Sequence, residues 1–373
     1  SQQPLPICLN IQLYDASCLC EPTMQTANNW YQEGLLRSPG FDFTFVIGIA
    51  AIAIATGFLV TDRPELFAPI LALDLWLLGY HHVISTYTRL IFDTESFREH
   101  KSLVLYLPVV VAAAVTALAL SAGLWPLATI YLYWQWFHYT RQSEGISKAY
   151  GGKSAGKDLG NLRVARLAFY AVPLAGILHV SARNPADFLT MPLKTLPVPA
   201  WLLVAVDMLA VIAVVAWLGY QLRAWTRGRL ALPYLLYMLS HFAIFSVAYI
   251  WLSNISYGWL TVNIWHNAQY ILFVWLFNNR RFGGIVDDKH AVLSILSQNG
   301  RFPLYILACL TISTAVYFLI DHFGVDAVGT WIGVPTAVAT IVIYQTINFH
   351  HYIVDSLIWK LRKNSLRSKL GLA

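Results

Sequence analysis

The sequence predicts an all-α fold: a polytopic transmembrane helical bundle of about ten spans, with both termini cytoplasmic. Composition, the spacing of apolar stretches and the placement of positive charge carry that expectation. Of 373 residues, 57% are hydrophobic and only 12% are charged, with a mean hydropathy of +0.55. A soluble domain carries roughly 25% charged residues. Ten apolar stretches, each near the roughly 20 residues that a bilayer core requires, run over 43–61, 65–92, 102–122, 124–147, 162–182, 200–224, 231–254, 259–280, 303–321 and 328–360.

Taken in order, the boundaries follow proline chemistry. Pro64, Pro126, Pro199, Pro233 and Pro303 stand at or near span starts, where a missing N–H costs nothing. Pro69, Pro173 and Pro335 fall inside spans and predict kinks. The stretches 65–92 and 328–360 exceed a bilayer thickness and are expected to tilt or to project. Trp125, Trp201, Trp225, Trp251 and Trp259 near span ends suit interfacial anchoring.

Charge sets the orientation. Arg89, Arg98 and Lys101 follow the second span. Lys148, Lys153, Lys157 and Arg163 follow the fourth, and Arg223, Arg227 and Arg229 the sixth. Arg280, Arg281, Lys289 and Arg301 follow the eighth, and Lys360, Arg362, Lys363, Arg367 and Lys369 the tenth. Loops on the other side hold only Arg63, Arg183 and Lys194. The net charge of +6 therefore reads as a topology signal and not as a nucleic-acid surface. Residues 1–40 are expected to form an N-terminal cytoplasmic segment without a signal-peptide core, and 41–373 a single transmembrane domain. Cys8, Cys18, Cys20 and Cys309 make no disulfide framework, and the sequence assigns no role to the first three.

The chemistry lies in the histidines. Of eleven, His100, His290 and His322 fall in loops or at ends, while His81, His82, His138, His179, His241, His266, His350 and His351 fall within spans. Ionisable groups at membrane depth are rare and mark function. Counted from the nearest basic boundary, His81, His138, His266, His351 and His241 lie about 12–21 Å inside at ~1.5 Å per residue. Five helices thus place imidazoles in one slab of the cytoplasmic half. Carboxylates accompany them: Asp355 is four residues after His351 and shares its helix face, Glu144 follows His138, and Asp74 lies two turns before His81. Gln142, Tyr139, Tyr270 and Tyr352 are neighbours able to orient a ligand. The expected metal set is His81, His82, His138, His266, His350, His351, Asp355 and Glu144, with His241 as ligand or support. Imidazole with carboxylate suits iron, zinc, manganese or copper.

In ligand type and number this set resembles the histidine-rich integral-membrane di-iron oxygenases, the desaturase and hydroxylase type. Their HxxxH and HxxHH boxes are absent, so no family residue is carried over. The resemblance implies a dinuclear non-heme iron cofactor, an apolar or lipid-like small-molecule substrate met in the bilayer, and a redox donor protein. The expectation is a metal-dependent membrane oxidoreductase, a monooxygenase or desaturase of lipid metabolism. A heme- or pigment-binding electron-transfer subunit, with His138 facing His266, stays open as an alternative, and a transporter as a third.

Overall fold

The computed structural model describes residues 33–91 and 94–358. Cys8, Cys18 and Cys20, most of the 1–40 segment and the basic run from Lys360 onward lie outside the described residues. The long helices are α1 (Pro39–Asp62), α2 (Pro64–Thr88), α3 (Lys101–Ala122), α4 (Trp125–Lys153), α5 (Leu162–Arg183), α6 (Ala200–Thr226), α7 (Leu232–Trp251), α8 (Ile255–Phe282), α9 (Phe302–Ile332) and α10 (Thr336–Ile358). Seven of them, all but α4, α8 and α10, are long and apolar enough to cross a membrane. The other three have 29, 28 and 23 residues, so length does not disqualify them. Their composition does, because they carry His138, His266, His350 and His351 together with Gln and Asn side chains turned inward.

The centre of the bundle is α8, buried along most of its length and packed against α1, α2 and α7. On the outside, α6 packs chiefly on α5 and exposes Val204, Met208, Val211 and Val215. Helices in lipid gain no hydrophobic drive from meeting one another and rely on close approach. Gly258 shows this: a Cβ there would stand 1.9 Å from the Ala248 carbonyl oxygen. α7 and α8 meet backbone to backbone at that point.

Two expectations need correction. The last span does not run over 328–360. α9 continues to Ile332, Gly333 turns the chain with φ 70°, and α10 starts at Thr336. Pro335 therefore follows a left-handed helix cap, a usual proline position, and produces a reversal, not a kink. A short hairpin, Asp187–Phe188 with Met191–Pro192, also joins α5 to α6. Its turn residues Leu189 and Thr190 sit at φ 49° and 68°, and it inserts the fully buried Phe188 into the end of the bundle. Pro173, by contrast, lies inside the continuous α5. Lacking an N–H, it leaves the Phe169 carbonyl without its helical donor.

Candidate metal centre

The site begins with a π turn. In an unbroken α-helix Asp74 and His81, seven apart, would share a face. Instead α2 contains a π turn over Leu75–Gly79, which adds a residue to the turn and moves the shared face to His82. Such bulges recur at functional sites. Asp74 and His82 both meet α8, where Asn263, His266 and Tyr270 follow one another at helical spacing. The Asn263 side chain donates to Asp74 Oδ2 at 2.5 Å. The His82 ring lies 4.9 Å from His266 and 4.1 Å from Tyr270 between centroids.

His138 on α4 and His351 with Asp355 on α10 close the cluster. His82 Nε2 and His351 Nε2 lie 2.7 Å apart. The His138 ring is 5.1 Å from His266 and 5.3 Å from His351. One donor atom from each of His82, His138, His351 and Asp355 falls within 4.8 Å of all the others, and all four residues are buried. Metal–ligand bonds of about 2.0–2.2 Å put opposed donors about 4 Å apart, so small side-chain shifts bring the set into one coordination sphere. His138 Nε2 and His82 Nδ1 are buried with no hydrogen-bond partner. Buried imidazole nitrogens without a partner, in residues that converge with a carboxylate, are what a metal ion satisfies.

Neighbouring hydroxyls fix the carboxylate. Tyr270 donates to Asp355 Oδ1 at 2.9 Å, and the Thr86 hydroxyl lies 2.6 Å from Tyr270 and 3.3 Å from both Asp355 Oδ1 and His351 Nδ1. Asp355 Oδ2 is 3.5 Å from His351 Nε2. Thr86 was not singled out from the sequence, although it follows His82 by four residues and so shares its face.

The structure draws the remaining expected ligands elsewhere. His81 points about 100° away from His82 and stays outside the converging set; its Nε2 is buried without a hydrogen-bond partner. His350 Nε2–H donates to the Leu103 carbonyl at 2.7 Å, and its Nδ1 accepts from the Tyr87 hydroxyl at 2.8 Å. It staples α10 to α2 and α3. His241 Nε2–H donates at 3.0 Å to the Phe169 carbonyl that Pro173 leaves open, and its Nδ1 accepts from Ser143 at 2.9 Å. Both nitrogens are spent on holding α7 to α5 and α4. Glu144, six residues after His138, faces away and is paired with Arg141, Lys148 and Arg166. It also accepts from the Tyr170 hydroxyl at 2.7 Å.

A pocket of about 160 Å³ reaches the cluster at His138, Tyr270 and Asp355. Trp134, Phe137, Ile146 and Phe273 give it apolar walls, and Arg141 and Gln142 a polar edge. Phe137, Arg141 and Ser356 are its exposed lining residues, so the pocket meets the surroundings through a rim of mixed polarity. Compared with known protein-family models, curated proteins and solved structures, the chain matches none.

Proposed function

We propose that this chain is an integral-membrane, metal-dependent oxidoreductase acting on an apolar or lipid-like substrate. We further take α4, α8 and α10 to cross the bilayer with the other seven helices, giving ten spans with both termini on the cytoplasmic, basic side. The observation that carries the reading is the convergence of three imidazoles and a carboxylate, all buried, at the end of a largely apolar pocket.

His82, His138, His351 and Asp355 would hold the ion, with the His266 ring close enough to add a donor. A His and carboxylate set that leaves positions open suits non-heme iron, which would supply Lewis-acid and redox chemistry. His350, Glu144 and His241 are committed to other partners, so one ion accounts for the set better than the expected pair of irons. Tyr270 and Thr86 hold the Asp355 carboxylate in place, as outer partners of a metal ligand do. The walls formed by Trp134, Phe137 and Phe273 exclude water and orient an apolar chain toward the cluster. A heme between His138 and His266 is disfavoured by crowding. His351 lies 5.3 Å from His138 and His82 4.9 Å from His266, in space that a macrocycle would need. A separate redox protein docking on the basic loops would supply electrons.

Metal analysis of detergent-purified protein by plasma mass spectrometry, with an absorption spectrum of the same sample, tests this. About one equivalent of iron without a Soret band is expected. A Soret band would move the case to electron transfer through heme, and protein that neither carries nor takes up any transition metal would refute the reading.

A further inference from the structure

A second cavity, about 70 Å³, also lies against the cluster, with His82, His266 and His351 in its wall and Tyr352 shared with the first pocket. Its lining is otherwise rich in hydrogen-bonding groups, among them Gln135, Asn263 and Asn348. A buried water needs roughly 10–15 Å³ of such space and two to four polar partners, so several waters fit. Toward the α5–α6 hairpin the cavity is closed. Phe188 packs there on Tyr131 and Trp259, with ring centroids 5.7 and 6.0 Å away.

The continuation runs through phenols. Tyr80 and Tyr344 both line the cavity. The Tyr344 hydroxyl donates to Asp321 Oδ1 at 2.9 Å. Its proton is committed there, so across the 3.0 Å contact with Tyr80 it accepts and Tyr80 donates. Tyr80 is held in place by stacking on Tyr317, centroid to centroid 3.6 Å. Asp321 is exposed in the π turn Ile320–Gly324. At ~1.5 Å per residue it stands about 28 Å along α9 from Phe302, close to the ~30 Å of a bilayer core, and α9 runs on beyond it to Ile332. Both hydroxyl protons in the file point from the cavity toward that carboxylate.

We propose that this cavity and the Tyr80–Tyr344–Asp321 file form a proton-exit route from the metal site toward the side of the bundle opposite the basic loops. Apolar substrate and proton then use different doors. The origin of the proton rests on the metal reading given above. A proton released at the site enters cavity water, which passes one to the Tyr80 oxygen. The Tyr80 proton moves to Tyr344, and the Tyr344 proton moves to the Asp321 carboxylate and then to solvent. Each O–H bond broken is matched by one formed, and no electron moves.

Hydroxyl radicals generated in place by X-ray radiolysis label side chains that lie beside water, and mass spectrometry locates the label. Corrected for intrinsic reactivity, Tyr80, Tyr344 and Tyr139 should label severalfold faster than the outward-facing Phe58 and Phe318. Gly79→Val should suppress that labelling, because a Cβ at Gly79 lies 3.8 Å from Asn267 Nδ2 and a larger side chain fills the cavity. Tyr344→Phe keeps the cavity but cuts the file. With Cu²⁺ bound and the protein mixed into D₂O, deuterium should appear beside the metal at least tenfold more slowly in Tyr344→Phe than in the unaltered protein. Equal exchange rates, or tyrosines labelled no faster than Phe58, overturn the route. Protein that takes up no Cu²⁺ sinks the metal reading, and the labelling then judges the hydrated file by itself.

Discussion

Adjacent histidines on one helix do different work here, and His350 and His351 allow a clean separation. His351 contributes to the convergent set, whereas His350 spends both nitrogens on Tyr87 and Leu103. His351→Ala and His138→Ala should each abolish metal retention, measured by plasma mass spectrometry, while leaving membrane insertion intact. His350→Ala should keep the metal stoichiometry and lower stability instead. It leaves a half-buried carbonyl without its side-chain donor, a loss of about 1 kcal/mol, read as a shift in the thermal midpoint. Tyr270→Phe removes the donor to Asp355 together with the hydroxyl contact to Thr86. Metal affinity should fall roughly 10–100-fold, as when an outer partner is lost, and an unchanged affinity in a competition titration would remove Tyr270 from the site. At this scale the sequence was informative wherever a fixed helical spacing applied. His351 with Asp355 and His266 with Tyr270 are both four apart, and both pairs act together. It was misleading for His81 because the π turn at Leu75–Gly79 leaves no pattern in residue type, and that turn decides which of two adjacent imidazoles faces inward.

At the scale of the element, α5 and α7 form a compensating pair. Pro173 deprives the Phe169 carbonyl of its helical donor, and His241 on the neighbouring helix supplies one at 3.0 Å. The cost of His241→Ala is therefore expected to be about 1–3 kcal/mol, that of a buried acceptor left unmet. Restoring an N–H with Pro173→Ala in the same chain should recover part of it, because residue 173 can then bond residue 169 in the ordinary helical way. A double-mutant cycle in detergent, followed by thermal unfolding, measures this. Strict additivity of the two changes would mean that the histidine and the proline are not coupled. Counting along the sequence put His241 in one slab with the other imidazoles, but depth says nothing about the direction around the helix axis. In the structure His241 serves α5 and α4 and stays out of the set formed by His82, His138, His351 and Asp355. Pro335 illustrates the same limit, since an apolar run on both sides of it hides the reversal at Gly333.

For the whole molecule, polarity and position pull against each other. The seven helices that qualify as spans by composition surround or flank three that do not, and those three carry His138, His266, His351 and Asp355. A helix that turns its polar face toward other helices needs no apolar face on every side, so a hydropathy threshold passes over the helices that carry the candidate site. If α4, α8 and α10 do cross, the chain must alternate sides at every connection. The basic residues Lys153, Lys157, Arg223, Arg227, Arg280 and Arg281 then share one side, as positive charge does in the cytoplasmic loops of membrane proteins. Single cysteines at the exposed positions Ala155, Thr226 and Val286, in a chain lacking Cys8, Cys18 and Cys20, should react with a membrane-impermeant maleimide from that side. Ser121, Ala186 and Trp331, also exposed, should react from the other. Each helix is tested by the pair that brackets it: Ser121 and Ala155 for α4, Val286 with a position beyond α7 for α8, and Trp331 with the C-terminal end for α10. Were Ser121 and Ala155 labelled from the same side, α4 would not cross. His138 would then enter the cluster from a helix lying against the bundle, and the apolar pocket would open toward water instead of lipid.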